Sequence, residues 1–193
     1  GSFLDDSTSN NNDLTNNNGV TEVTTGLPFA QSTSAADLEM SSSQYLSIAD
    51  ASQTGLDLST IFTLEGWFNF ESTPTNGNLR TLMAKTNYGA DRGYEWFAWN
   101  NGGTLTLRII VVDSGGASDD FYWNFTPTTG VWYHLAVTGD VSQASANTFE
   151  LFINGSSQGN GTSVVSQNIS AIRNTGQPFS IGYGQAYEYF DGL

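Results

Sequence analysis

Residues 113–120, Asp-Ser-Gly-Gly-Ala-Ser-Asp-Asp, place three carboxylates in a short polar loop ahead of an aromatic stretch at 121–125. A hard cation such as calcium collects about six to eight oxygens from carboxylates, amides and backbone carbonyls, so this loop is a candidate for part of a calcium site. The competing reading is a solvated acidic loop in an acidic protein. A second group suits sugar chemistry. Tyr88, Tyr187 and Tyr189 fall in turn-like stretches beside Asp91, Gln185 and Glu188. An aromatic ring covers the apolar C–H face of a sugar while amides and carboxylates take its hydroxyls. The other aromatics are expected in the core, because sandwich interiors consume many rings. His134 is the single histidine. A Ser-His-Asp site would need it, but it lies in the middle of a strand pattern, where a structural role is expected. There is no P-loop, dinucleotide fingerprint or HExxH sequence. The absence of cysteine, with one histidine, removes disulfides, thiolate chemistry and a structural zinc site.

The elements that must position these residues are strands. Val131, Tyr133, Leu135 and Val137 alternate with Trp132, His134, Ala136 and Thr138, the period of two that marks a β-strand. Phe149, Leu151 and Ile153 alternate again, and Asn154-Gly155 supplies a two-residue turn. A second long strand is expected over 61–70, with Phe62, Leu64, Gly66, Phe68 and Phe70 on one face. Further strands are expected at 80–85, 94–99, 104–112, 121–125 and 179–183. The whole chain reads as ten to twelve strands with no long helix, an all-β antiparallel sandwich of two sheets.

Three stretches carry a family resemblance. Residues 132–137 (Trp-Tyr-His-Leu-Ala-Val) followed by 149–155 (Phe-Glu-Leu-Phe-Ile-Asn-Gly) resemble the W-x-H-(V/L)-A … L-Y-(V/I)-(D/N)-G signature of laminin-G-like, concanavalin A-like jelly rolls. Residues 62–68 resemble that family's F-T-(L/V)-E-(A/G)-W strand, and Ile181-Gly182 followed by Phe190-Asp191-Gly192 resembles its (I/L)-G … F-x-G ending. The resemblance implies a jelly roll. It also implies a rim calcium, held by Asp119 or Asp120, by Asn174 and by the carbonyl of Ile172, with Arg173 counting against it. Pentraxins share this fold, and Asp91 matches one of their ligand positions. Arg92 follows where an amide is expected, so no double calcium site is expected. Glucanases of the fold carry E-x-D-x-(x)-E on one strand. No such spacing occurs here, and Glu65 and Glu71 stand six apart, so the domain is read as non-enzymatic. In the resembled family a further strand follows F-x-G. That strand is therefore expected to be missing through truncation or supplied by a partner.

Five Lys and Arg against 19 Asp and Glu give a formal net charge of −14. Such a surface repels nucleic acid and anionic membranes and attracts cations. No apolar run reaches the length of a membrane-spanning helix. Residues 1–35 are rich in Asn, Ser and Thr and are expected to form a low-complexity linker or arm, with the jelly roll over 36–193. The expected function is a non-catalytic extracellular or cell-surface binding and adhesion module, on a cell or a virion. It recognises a glycan or a protein surface, with calcium at its rim. The alternatives are a structural or assembly module that engages neighbouring subunits through its arm or its open C-terminal edge, and a divergent glycoside hydrolase.

Overall fold

The computed structural model describes residues 2–87, 89, 91–143, 147–184 and 188–193. In chain order its strands are β1 (Thr15–Asn17), β2 (Thr21–Val23), β3 (Ala35–Asp37), β4 (Tyr45–Ile48), β5 (Ile61–Asn69), β6 (Leu79–Thr86) and β7 (Arg92–Asn101). They continue with β8 (Thr104–Val112), β9 (Ser118–Asn124), β10 (Trp132–Asp140), β11 (Thr148–Ile153), β12 (Ser156–Asn160), β13 (Thr162–Ser166) and β14 (Phe179–Ile181). A large sheet runs β1-β4-β14-β6-β7-β8-β9-β13 and a small one β12-β11-β10-β5, with β2 and β3 forming a separate hairpin. Alternation decides which residues lie between the sheets. Leu107, Ile109 and Val111 of β8 are fully buried against Leu135 and Val137 of β10 and Phe149 and Leu151 of β11. Asn154 and Gly155 take φ of 50° and 77° in the turn between β11 and β12, the left-handed pair that the Asn-Gly sequence favours. The result is the expected antiparallel jelly-roll sandwich.

The Asn-rich first part of the chain is built into this fold, where composition alone suggests a linker. β1 pairs with β4, from Thr15 opposite Ser47 to Asn17 opposite Tyr45. Val20 is buried in the core, and Phe3, Leu4 and Leu14 pack against it. The asparagines act as substitutes for backbone. Asn16 exchanges two 2.7 Å bonds with the backbone of Val20, and Asn12 exchanges two with Thr54. Such local amide pairing satisfies main-chain groups without an apolar pattern, so hydropathy does not register it.

At the far edge of the small sheet, residues 191–193 are held between two segments. Gly192 exchanges hydrogen bonds with Leu38, Leu193 exchanges them with Asn69, and Glu71 N–H donates to the Asp191 carbonyl. Gly192 has φ of +141°, and a Cβ there would stand 2.0 Å from the Asn69 carbonyl oxygen, so only glycine fits. Leu38 and Phe70, both opposite Gly192, point into the core. Their neighbours Asp37, Glu39, Asn69, Glu71 and Asp191 therefore share the opposite face.

Lys85 is 1 % exposed, and its ammonium meets Asp50, Asp57 and the Thr175 carbonyl. The hydrogen bond from Lys85 holds the Asp50 carboxyl below its ordinary value of 3.8. A depressed folded-state value adds stability above the ordinary pKa and loses it as pH falls through the folded value. We therefore expect the melting temperature of the wild type to fall more steeply below about pH 4 than that of Asp50→Asn. A series of thermal melts in acid measures this, and parallel curves would mean that water screens the pair.

Candidate functional site

The outward face of the large sheet is lined by the residues that alternate with its core. Across β7, β8 and β9 one row reads Phe97, Arg108, Tyr122 and the next reads Trp99, Thr106, Asn124. Between them and β13 lies a depression of about 480 Å³, walled by Trp99, Asn101, Arg108, Tyr122 and Asn124 and closed by Val164. Arg108 gives this surface its shape. Its Nε and Nη2 donate to the two oxygens of Asp120, a bidentate pair. Its guanidinium carbon lies 4.6 Å from the Trp99 ring centre and 5.8 Å from that of Phe97. The pair and the rings hold the guanidinium in place, and the carboxylate cancels its charge. The floor is therefore neutral and rigid, with aromatic walls and amide groups at the rim. That combination suits the apolar faces and hydroxyls of a sugar.

Two carboxylates share one row of this face, because Glu95 and Asp120 both stand opposite Ile110 on its two neighbouring strands. Neither is presented to a substrate. Glu95 is 3 % exposed and accepts a 3.0 Å bond from Thr81 Oγ1. Gly184 lies so close above it that a Cβ would sit 2.0 Å from Glu95 Oε1. Asp120 is engaged by Arg108 on both oxygens. Acid–base cleavage needs both groups within reach of the scissile bond. His134 lies on the outer face of the small sheet, 5.3 Å from the Trp67 ring centre and 3.6 Å from Glu65.

The rim set implied by the resemblance does not fit a calcium ion. Asp119 and Asp120 alternate on β9 and point to opposite faces. Asp119 is fully buried and accepts from Asn147 Nδ2, Asn168 N–H and Ile169 N–H. Its oxygens anchor the 168–169 segment, and those of Asp120 belong to Arg108, so neither is left for a metal. Ile172 is buried, with its N–H on the Ser59 carbonyl, while Asn174 is exposed. Of the expected sugar-binding group, Asp91, Glu188 and Tyr189 are among the described residues. Asp91 accepts from Gln177 at 2.7 Å and pairs with Arg173 at 3.2 Å. Its carboxyl lies below the usual range, mainly through the Gln177 bond. Glu188 accepts the Leu79 N–H. Tyr189 stacks on Tyr183 at 5.1 Å and approaches Tyr45 at 6.1 Å. Tyr88, Gln185 and Tyr187 lie outside the described residues. Trp99, Arg108 and Tyr122 were not foreseen as a site. The signal was present in β8, where Thr104, Thr106 and Arg108 alternate with Leu105, Leu107 and Ile109, but which outward face is concave is a tertiary property.

A family model described as the concanavalin A-like lectin/glucanases superfamily, of the laminin-G type, matches residues 40–193. The chain belongs to this superfamily. No curated protein sequence matches it. Among solved structures it is similar to a heptameric SAP-like pentraxin from Limulus polyphemus, at 16 % identity and a TM-score of 0.46. That match covers 70 % of this chain and 61 % of the pentraxin. It is also similar to a family 18 polysaccharide lyase, at 13 % identity and a TM-score of 0.42, over 72 % of this chain and 58 % of the lyase. An alginate lyase from Alteromonas sp. 272 matches at 12 % identity and a TM-score of 0.40, over 71 % of this chain and 57 % of that one. As a laminin-G-type jelly roll, the chain has a fold shared by binding proteins and by enzymes that process glycans, so its function is argued from the site. No described helix is long and apolar enough to cross a membrane.

Proposed function

We propose that this domain is a non-catalytic carbohydrate-binding module that acts outside the cell or at its surface and takes neutral glycans in the depression between Trp99 and Tyr122. The observation that carries the reading is the Arg108 guanidinium paired with Asp120 and placed over the Trp99 ring. It makes an aromatic, amide-rimmed surface with its charge cancelled. An acidic sugar would find no uncommitted cation on that floor and would approach a protein of net charge −14. The buried state of Glu95 and the engagement of Asp120 favour binding over hydrolysis.

A glycan array with neutral and uronate-bearing polysaccharides, read together with reducing-sugar release, tests this. Retention on neutral glycans with no release of ends is expected. Retention only on uronates, or release of ends, would overturn it.

A second reading, an assembly module, rests on the edge of β5, which among the described residues pairs with β10 on one side and meets only residues 191–193 on the other. Leu193 starts a ladder with Asn69 there. Beside it lies an apolar cavity of about 270 Å³ lined by Leu38, Leu46, Phe68, Phe190 and Leu193. A neighbouring subunit that adds a strand at this edge would make the apparent mass depend on concentration.

A further inference from the structure

Four carboxylates crowd one face of the small sheet where its edge meets the chain end. Gly192 stands opposite both Leu38 and Phe70. The antiparallel register therefore sets Glu39, Asp191 and Glu71 side by side in one cross-strand row, with Asp37, Leu193 and Asn69 in the next. Like charges placed directly opposite repel one another. Even so, oxygens of Asp37, Glu39 and Glu71 all lie within 4.8 Å of one another. Two ligands of one calcium ion, each about 2.4 Å from it, stand at most about 4.8 Å apart, so the three carboxylates can share an ion.

A separate observation lies on the same face, two residues from Glu71. Asn69 is 7 % exposed, yet its Oδ1 has no hydrogen-bond partner. Its side chain projects from the same face as Glu71, because Phe70 between them is in the core. Asp37 Oδ1 is also buried without a partner, while Asp37 Oδ2 accepts from Thr21 Oγ1 at 3.3 Å. A neutral amide oxygen and a carboxylate oxygen left unpaired beside two further carboxylates form a set of ligand atoms awaiting a cation, since buried polar atoms ordinarily find partners. Asp191 is held alongside by the Met40 N–H, 3.2 Å from its Oδ1.

We propose that Asp37, Glu39, Glu71 and the side-chain oxygen of Asn69 bind one calcium ion. The ion ties together the strand that enters the core at Leu38, the end of β5 and the 191–193 segment. It acts as a clasp on the edge of the small sheet, on a different sheet from the sugar depression. It also replaces the rim site that the family resemblance suggested at Asp119.

The test is titration of chelator-stripped protein with calcium chloride and with magnesium chloride, read by calorimetry and by thermal unfolding. Wild type is compared with the double variant Glu39→Gln/Glu71→Gln and with Asp113→Asn as a surface control. We expect one calcium per wild-type chain. At roughly a hundred-fold excess over Kd the melting temperature should rise by about 5–10 °C. The double variant should not respond to calcium, and in chelator it should melt at or above the wild type, because the repulsion is gone. Asp113→Asn should behave as wild type. Should the double variant not fold, Asp37→Asn carries the same comparison. A wild type that calcium leaves unmoved would overturn the site. So would a calcium response that survives in the double variant or disappears in Asp113→Asn.

Discussion

Asp119→Ala melts about 10 °C or more below the wild type, the expectation for losing about 3–5 kcal/mol from a domain of this size. The carboxylate is fully buried and accepts Asn168 N–H at 2.9 Å, Ile169 N–H at 3.3 Å and Asn147 Nδ2. Asn147 in turn donates to the Ile169 carbonyl at 2.8 Å, so one acidic side chain closes a small network around the 168–169 turn. Asn168 has φ of 53°, and beside that bend the Ile169 N–H and the Asn147 amide belong to buried residues. Each buried donor that loses its acceptor costs about 1–3 kcal/mol. Asp119→Asn keeps one acceptor oxygen and should fall between the two. Urea denaturation gives the free energies directly. A loss of less than about 1 kcal/mol in Asp119→Ala would mean that water enters and replaces the carboxylate.

Trp99→Ala should weaken glycan binding by roughly 30-fold, about 2 kcal/mol, and leave the fold intact. The ring is partly exposed and forms one wall of the depression. It also covers the Arg108 guanidinium at 4.6 Å. Removing it loses the stacking surface for the sugar and frees Arg108 to move, so the loss should exceed that of Asn101→Ala at the rim. Trp99→Phe should restore part of the affinity because a smaller aromatic face remains. Titration of the glycan selected on the array measures all three. If Trp99→Ala binds as well as wild type, the ligand lies elsewhere, and the Tyr45–Tyr183–Tyr189 cluster becomes the next surface to vary.

The consecutive residues Asp119 and Asp120 have separate roles. Asp119 holds a turn from the inner side of β9, and Asp120, one residue on, orients Arg108 on the outer side. In the sequence they are an indistinguishable pair of acids at a strand start. The sheet assigns them to opposite faces, one dry and one lining the depression, and each then has a different set of donors.

A long strand with period-two alternation and an Asn-Gly turn can be read directly, because alternation reflects a sheet with one face dry. β5, β10 and β11 could be placed in this way, and the sandwich followed from them. The family motifs at 62–68, 132–137 and 149–155 describe those same three strands, so the resemblance and the periodicity share one physical origin. β1 was not legible, since its bonds come from Asn side chains that mimic the backbone and leave no apolar pattern.

By itself, then, the sequence determined an acidic, cysteine-free, all-β sandwich with its core strands in order, because burial and turn geometry are written locally. Only the tertiary structure decided where chemistry can occur. Trp99, Arg108 and Tyr122 come from three strands, and Asp37, Glu39, Asn69 and Glu71 from two distant segments. Their grouping depends on strand order and register, which arise from long-range pairing and carry no signature in any short stretch of chain.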